Sequence, residues 1–237
     1  MRRNIFIILL LLSCAASIAA KPPALRKFNL AANVESKHIW RGISSSSTPT
    51  FTSDLSYHRN NWSGSVWIAK SFDQQYTEMD LMLTWAKNRF AISLYDYYCP
   101  RLNEANQLID YTAESTRHAV DLLVQYKPGG QNPVNILGSL LVYGDDRNDS
   151  TGDNYYSAYL EMAYTISTRQ HQQIVAKLGY TPYESIYASK AGFVNMQLSF
   201  SRVAQISKTI KLPITAEIIA NPVNKMLTLN FQIGLIA

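Results

Sequence analysis

Charge is sparse in this chain. Its 22 Lys and Arg and 17 Asp and Glu amount to 16% of 237 residues, against roughly a quarter in ordinary soluble domains. The formal net charge of +5 falls to +3 without Arg2 and Arg3. That is too weak and too dispersed for a nucleic-acid footprint, so no nucleic-acid partner is expected. Cysteine is nearly absent. Cys14 lies in the apolar start and Cys99 is the other, which excludes a disulfide framework within one processed chain. An incidental unpaired thiol at a strand end accounts for Cys99. No run of 18 apolar residues follows residue 20, so no helix is expected to span a membrane. His38, His58, His118 and His171 show no metal-ligand spacing, and there is no G-x-S-x-G, P-loop or dinucleotide turn. No metal, cofactor or enzymatic activity is expected.

What is present begins with an export signal. Arg2 and Arg3 precede the apolar stretch Ile5 to Leu12, and Ser17-Ile18-Ala19 is a small-x-small cleavage site. Residues 1–20 read as a signal peptide and 21–237 as one domain. Leu11-Leu12-Ser13-Cys14 also resembles a lipobox, but an acyl anchor is redundant for an integral barrel.

After the signal comes a rhythm of about twelve segments in which apolar and polar residues alternate. Period two gives each strand one apolar and one polar face. Phe28, Leu30, Ala32 and Val34 oppose Asn29, Asn33 and Glu35 in the first, which runs on to Trp40. Met79, Leu81, Leu83 and Trp85 oppose Glu78, Asp80 and Thr84 in the fourth, and Leu227, Leu229, Phe231, Ile233 and Leu235 oppose Thr228, Asn230 and Gln232 in the last. The seventh, near 134–143, is apolar on both faces. Segments of roughly 9–11 residues cross a bilayer when tilted. Connections run alternately long (41–50, 72–77, 99–116, 144–154, 182–190) and short, as in outer-membrane barrels. The last outer loop, 221–224, is short, and the turn near 202–210 is longer than this pattern asks.

Alternation does not say which face is inside, since a lipocalin-like soluble barrel also alternates. Three features favour the membrane. The strand count exceeds eight. Trp40, Trp62, Trp85, Tyr57, Tyr98, Tyr126 and Tyr143 sit near strand ends, as an aromatic girdle does. The polar face carries mid-strand charge, so Glu35, Asp54, Asp80, Asp121, Lys177 and Glu217 are candidate lumen-facing residues. The expected fold is all-β, a transmembrane antiparallel up-and-down barrel of about twelve strands.

Ser36-Lys37-His38-Ile39-Trp40-Arg41-Gly42-Ile43-Ser44 resembles the S-K-Y-x-W-R-G-x-S opening of the TorF-like porin family, the Gcw_chp-type outer-membrane proteins, with His38 in place of the usual Tyr. Pro49, Asp54 to Tyr57, and Ser65-Val66-Trp67 are similar to later elements of that family, and so is Thr151-Gly152-Asp153. The resemblance implies an outer-membrane location and porin-like activity. In the simpler reading Trp40 anchors at the membrane interface, Arg41 bonds lipid phosphates or loop carbonyls, and Gly42 permits the turn. In the other, Arg41 lines an entrance and biases it toward anions.

The function expected is passive passage of small hydrophilic solutes or ions through a narrow polar lumen. Twelve strands fall between the filled interior of eight and the aqueous channel of sixteen, so the loop at 99–116 is a candidate plug. The partners are outer-membrane lipids, the barrel-insertion machinery and the solutes. The chain ends Leu235-Ile236-Ala237, without the terminal aromatic that this machinery is expected to read. One rival is a non-conducting adhesion barrel acting through loops 99–116 and 144–154. Another is an outer-membrane hydrolase built on His118, with Ser115 nearby.

Overall fold

The computed structural model describes residues 27–236 except 105, 130, 149, 168–171 and 208–209. The expected signal peptide, Cys14 and His171 lie outside the described residues. The strands are β1 (Phe28–Glu35), β2 (Ile39–Trp40), β3 (Ile43–Ser44), β4 (Thr50–Arg59), β5 (Trp62–Ser71), β6 (Thr77–Lys87) and β7 (Phe90–Tyr98). They continue as β8 (His118–Tyr126), β9 (Val134–Gly144), β10 (Ala158–Ser167), β11 (Gln172–Thr181), β12 (Gly192–Gln205), β13 (Lys211–Asn221) and β14 (Met226–Ile236).

Twelve of these form one closed antiparallel barrel in chain order, and β1 pairs with both β4 and β14. Closure leaves no unpaired edge, the condition for a sheet to cross lipid. β2 and β3 form a separate two-stranded hairpin.

The alternation resolves which face meets which solvent. On β14, Leu229 is 58% and Phe231 57% exposed, while Asn230 between them is 1% exposed. The same inversion runs round the barrel: Leu81, Leu83, Ile92, Leu94, Leu198 and Ile218 are exposed, whereas Asp80, Thr84, Ser93 and Ser199 are buried. A soluble barrel reverses this order. An apolar wall around a polar interior is the arrangement of a transmembrane barrel.

Aromatic pairs ring this wall near the short turns. Phe28 packs on Tyr57 with centroids 4.8 Å apart, Phe90 on Tyr126 at 4.9 Å, and Trp62 and Trp85 are register partners. At the other end Tyr180 meets Phe193 at 5.5 Å. The short turns use left-handed Asn60 (φ 54°) and Asn88 (φ 57°), a conformation Asn tolerates.

Two boundaries differ from the sequence reading. The first spanning strand stops at Glu35 rather than Trp40, because the chain there leaves the wall and enters the lumen. The turn near 202–210 is shorter than the sequence suggests, since β12 continues to Gln205.

Candidate functional site: a hairpin across the lumen

At the end of β1 the chain is fastened to the wall and turned inward. Ser36 N donates to Phe231 O at 2.8 Å and Ser36 Oγ to Asn230 Oδ1 at 2.8 Å, and Lys37 N donates to the same Asn230 oxygen at 3.1 Å. His38 is buried, with Nδ1 2.6 Å from Glu35 Oε1. Its ring stacks on Tyr76 at 5.3 Å and lies 5.2 Å from that of the inward Trp67. Burial disfavours the imidazolium, but the hydrogen bond and charge of Glu35 outweigh it, so His38 titrates above its ordinary value.

Beyond His38 the hairpin of β2 and β3 reverses at Arg41 (φ 49°) and Gly42 (φ 81°). Two central residues with positive φ define the turn whose twist suits a hairpin. A Cβ on Gly42 would stand 1.8 Å from the carbonyl oxygen of Val194 on β12. Only glycine lets the tip touch that wall. Asn221 on β13 donates to Gly42 O at 3.2 Å. The serines return the chain to the barrel: Ser45 and Ser46 N donate to His38 O, and Ser46 Oγ bonds Thr48 O.

From this tip Arg41 reaches the facing wall. Its Nη2 lies 2.7 Å from Oδ2 of Asp121 on β8, which is fully buried, and Nη1 donates to the Tyr187 hydroxyl. The guanidinium is 4.8 Å from the ring of Trp40 and 4.9 Å from that of Tyr159, within cation–π range. Trp40 packs edge-on against Tyr97 at 5.3 Å and against Tyr187 at 5.4 Å. Gly179 makes room for Tyr159, whose hydroxyl would be 2.1 Å from a Cβ there.

Tyr187 belongs to a second inward segment between β11 and β12. It is completely buried, and Asn224 holds its carbonyl at 3.0 Å. Burial pushes its phenol above the ordinary range. Together Trp40, Tyr97, Tyr159 and Tyr187 join Leu123, Leu137, Leu141 and Val194 in an apolar cluster inside the barrel.

Trp40 therefore sits inside the barrel and not at the lipid interface, and Arg41 is neutralised by Asp121 rather than lining an open entrance or bonding lipid. Gly42 does occupy a turn. The other sequence candidates are distributed along the inward face. Glu35 accepts from Gln232 at 3.3 Å and faces His38. Lys177 lies 3.8 Å from Glu161. Glu217 collects donors from Gln197 (2.7 Å), Ser199 (3.2 Å), Asn230 (3.2 Å) and Gln232 (3.3 Å). Asp80 is buried with one carboxylate oxygen lacking a protein partner, and Asp54 is half-buried at the level of Trp67. Glu35 and Glu217 are thus joined through the Gln232 amide, with the charge of Lys177 acting on Glu217, while Asp54 and Asp80 flank Trp67 on β4 and β6.

The loop at 99–116 is not the plug. It folds against the outer side of the wall, where Tyr111 stacks on His118 at 4.1 Å and bonds Asp96, which shares the face of exposed Leu94. His118 is held between Asp96 Oδ1 and Leu108 O, each at 2.8 Å. Ser115 is turned to Asp110 at 2.6 Å, so it does not partner His118. Among the described residues no group of His, Cys, Asp or Glu could hold a metal ion.

The chain is thus a transmembrane β-barrel of twelve strands whose lumen is crossed by a hairpin from the first connection. No protein-family model matches it, and no curated protein does. Among solved structures it is similar to an outer membrane channel of the COG4313 type from Pseudomonas putida F1, with 13% identity, 92% of this chain and 99% of that chain covered, and a TM-score of 0.48. The NanC porin aligns with 10% identity over 88% of this chain and 98% of that one, TM-score 0.46. OprD from Pseudomonas aeruginosa aligns with 11% identity over 90% and 64%, TM-score 0.38.

Proposed function

We propose that this protein is an outer-membrane, porin-like barrel that gives small hydrophilic solutes or ions passive passage, narrowed by the 36–49 segment. One observation carries the reading: a polar interior runs behind a lipid-facing wall. Among the described residues, buried oxygens of Asp80, Asp121, Gln125, Asn135, Ser139, Asn195 and Thr215 lack a protein partner. These atoms belong to inward-facing side chains, so the polarity of the chain is gathered behind the apolar wall, where a hydrophilic solute would pass. The resemblance of Ser36 to Ser44 to TorF-like porins supports the same reading.

The lumen favours cations. Of its bases, Arg41 and Lys177 stand beside Asp121 and Glu161, and Lys37 bonds the Thr228 hydroxyl. Asp54, Asp80 and Glu217 have no ion-pair partner among the described residues. Carboxylates in a narrow passage of low dielectric attract cations and repel anions.

A second reading is a closed barrel that works through its outer loops. It is favoured by how tightly the hairpin tip seats against Val194. Planar-bilayer recording of the refolded protein separates the two. Small cation-preferring conductance steps are expected for passage. Silence in both the native protein and a variant lacking the hairpin tip would establish the closed barrel instead.

A further inference from the structure

The short-turn end of the barrel differs from the opposite end in one chemical respect: its connections carry basic side chains and no acidic ones. The stretches 55–65, 84–93, 122–138, 163–174 and 200–213 span all the connections at that end, and none contains Asp or Glu. Among the described residues they hold Arg59, Lys87, Arg89, Lys127, Arg202 and Lys211. The stretches 168–171 and 208–209 add Arg169 and Lys208 to the sequence and no acid. The long-loop end mixes both signs and pairs them. Arg117 meets Glu104 at 2.5 Å and Asp145 at 3.6 Å, and Arg147 meets Asp145 at 2.9 Å. None of the six described bases at the short-turn end is in an ion pair with a described residue.

We propose that this end is a binding surface for anionic phospholipid headgroups. Placement supports lipid over a soluble acidic partner. Arg59 and Lys87 are exposed and share the outward face of Leu55 and Leu83, and Arg202 shares that of Phe200. Arg59 is the register partner of Trp62, and Lys87 of Phe90. Trp62 and Phe90 are 53% and 50% exposed members of the aromatic ring that marks the membrane interface. The cations thus stand at the rim of the apolar wall, at headgroup depth. Arg89 and Lys127 are drawn together where Lys127 N donates to Arg89 O at 2.8 Å, which concentrates charge in adjacent turns. Bases beside a membrane attract anionic lipid with a gain of about fivefold per base, screened by salt.

The proposal rests on the transmembrane fold and not on conduction. Native mass spectrometry of the intact detergent-purified protein, titrated with phosphatidylglycerol or phosphatidylcholine, tests it. Preferential retention of phosphatidylglycerol, weakened by added salt, is expected. The variant Arg59→Gln/Lys87→Gln/Arg202→Gln should lose about a hundredfold in that preference, while Arg101→Gln/Arg117→Gln at the other end should keep it. Equal retention of the two lipids, a preference indifferent to salt, or equal loss in both variants would overturn it. Should the triple variant not fold, as judged by heat-modifiable migration, the single variants and the salt dependence of the native protein decide. A preference that only an acidic soluble protein elicits would count against lipid.

Discussion

Arg41 and Asp121 meet at 2.7 Å inside the barrel, one at the tip of a hairpin and the other on the far wall. Their side chains are 7% and 0% exposed. Removing one member of such a pair strands the other charge and costs about 3–5 kcal/mol. Asp121→Asn should therefore loosen the hairpin and enlarge the conductance step. The pair Arg41→Met/Asp121→Leu should recover much of the lost thermal stability. Heat-modifiable gel migration and single-channel recording read the two effects, and an unchanged step in Asp121→Asn would refute the pinning role.

Gly42→Ala tests the seat rather than the charge. The added methyl meets the Val194 carbonyl at 1.8 Å, and the residue keeps a positive φ. Strain of this kind costs about 1–3 kcal/mol before the collision is counted. The tip should leave β12, with larger and noisier conductance while the barrel still shows heat-modifiable migration. Gly152→Ala serves as the control for backbone strain alone, since it shares the positive φ (77°) while its Cβ would meet nothing within 4 Å.

Selection by the lumen is open to measurement of reversal potential in a potassium chloride gradient. Asp80→Asn and Glu217→Gln remove carboxylates that have no ion-pair partner among the described residues, so each should move the potential toward zero. Lys177→Gln should move it the other way, because it frees Glu161. A native potential of anionic sign would defeat the assignment.

The hairpin is also expected to respond to pH. His38 faces Glu35 at 2.6 Å and the charge of Glu78 further off, with the rings of Tyr76 and Trp67 against it. Its value is raised on folding, so the contact contributes fully below its ordinary value near 6.5 and is lost as pH rises through the raised one. Thermal stability should decline and conductance increase across that alkaline side. His38→Gln should flatten both profiles, and an unaltered profile in that variant would assign the effect elsewhere.

Much of the barrel was legible in the sequence because period two is a local signal. Leu229, Phe231 and Ile233 against Asn230 and Gln232 fix one strand by themselves. The short turns at Asn60 and Asn88 rest on equally local chemistry, since Asn tolerates the left-handed backbone there. The hairpin was not, because its fate depends on residues far along the chain: Asp121, Tyr187, Val194 and Asn221. Trp40 continues the apolar phase of β1 closely enough to pass for a girdle residue. One signal did point inward. The segment near 134–143 is apolar on both faces, and its inward Leu137 and Leu141 belong to the cluster that receives Trp40. A strand that breaks alternation in an otherwise polar lumen marks where something apolar docks.

The seam of the barrel bears on how the molecule is assembled. Among the described residues β1 and β14 share five register pairs, against eight between β1 and β4. The shortest ladder is where a ring of strands opens most readily. Ser36 extends this ladder by its bonds to Phe231 and Asn230, and the hairpin departs from that point. The closure of the ring and the root of the hairpin are therefore built on the same strand, β14, the last in the chain. A break in this seam would release the wall and the root of the hairpin together.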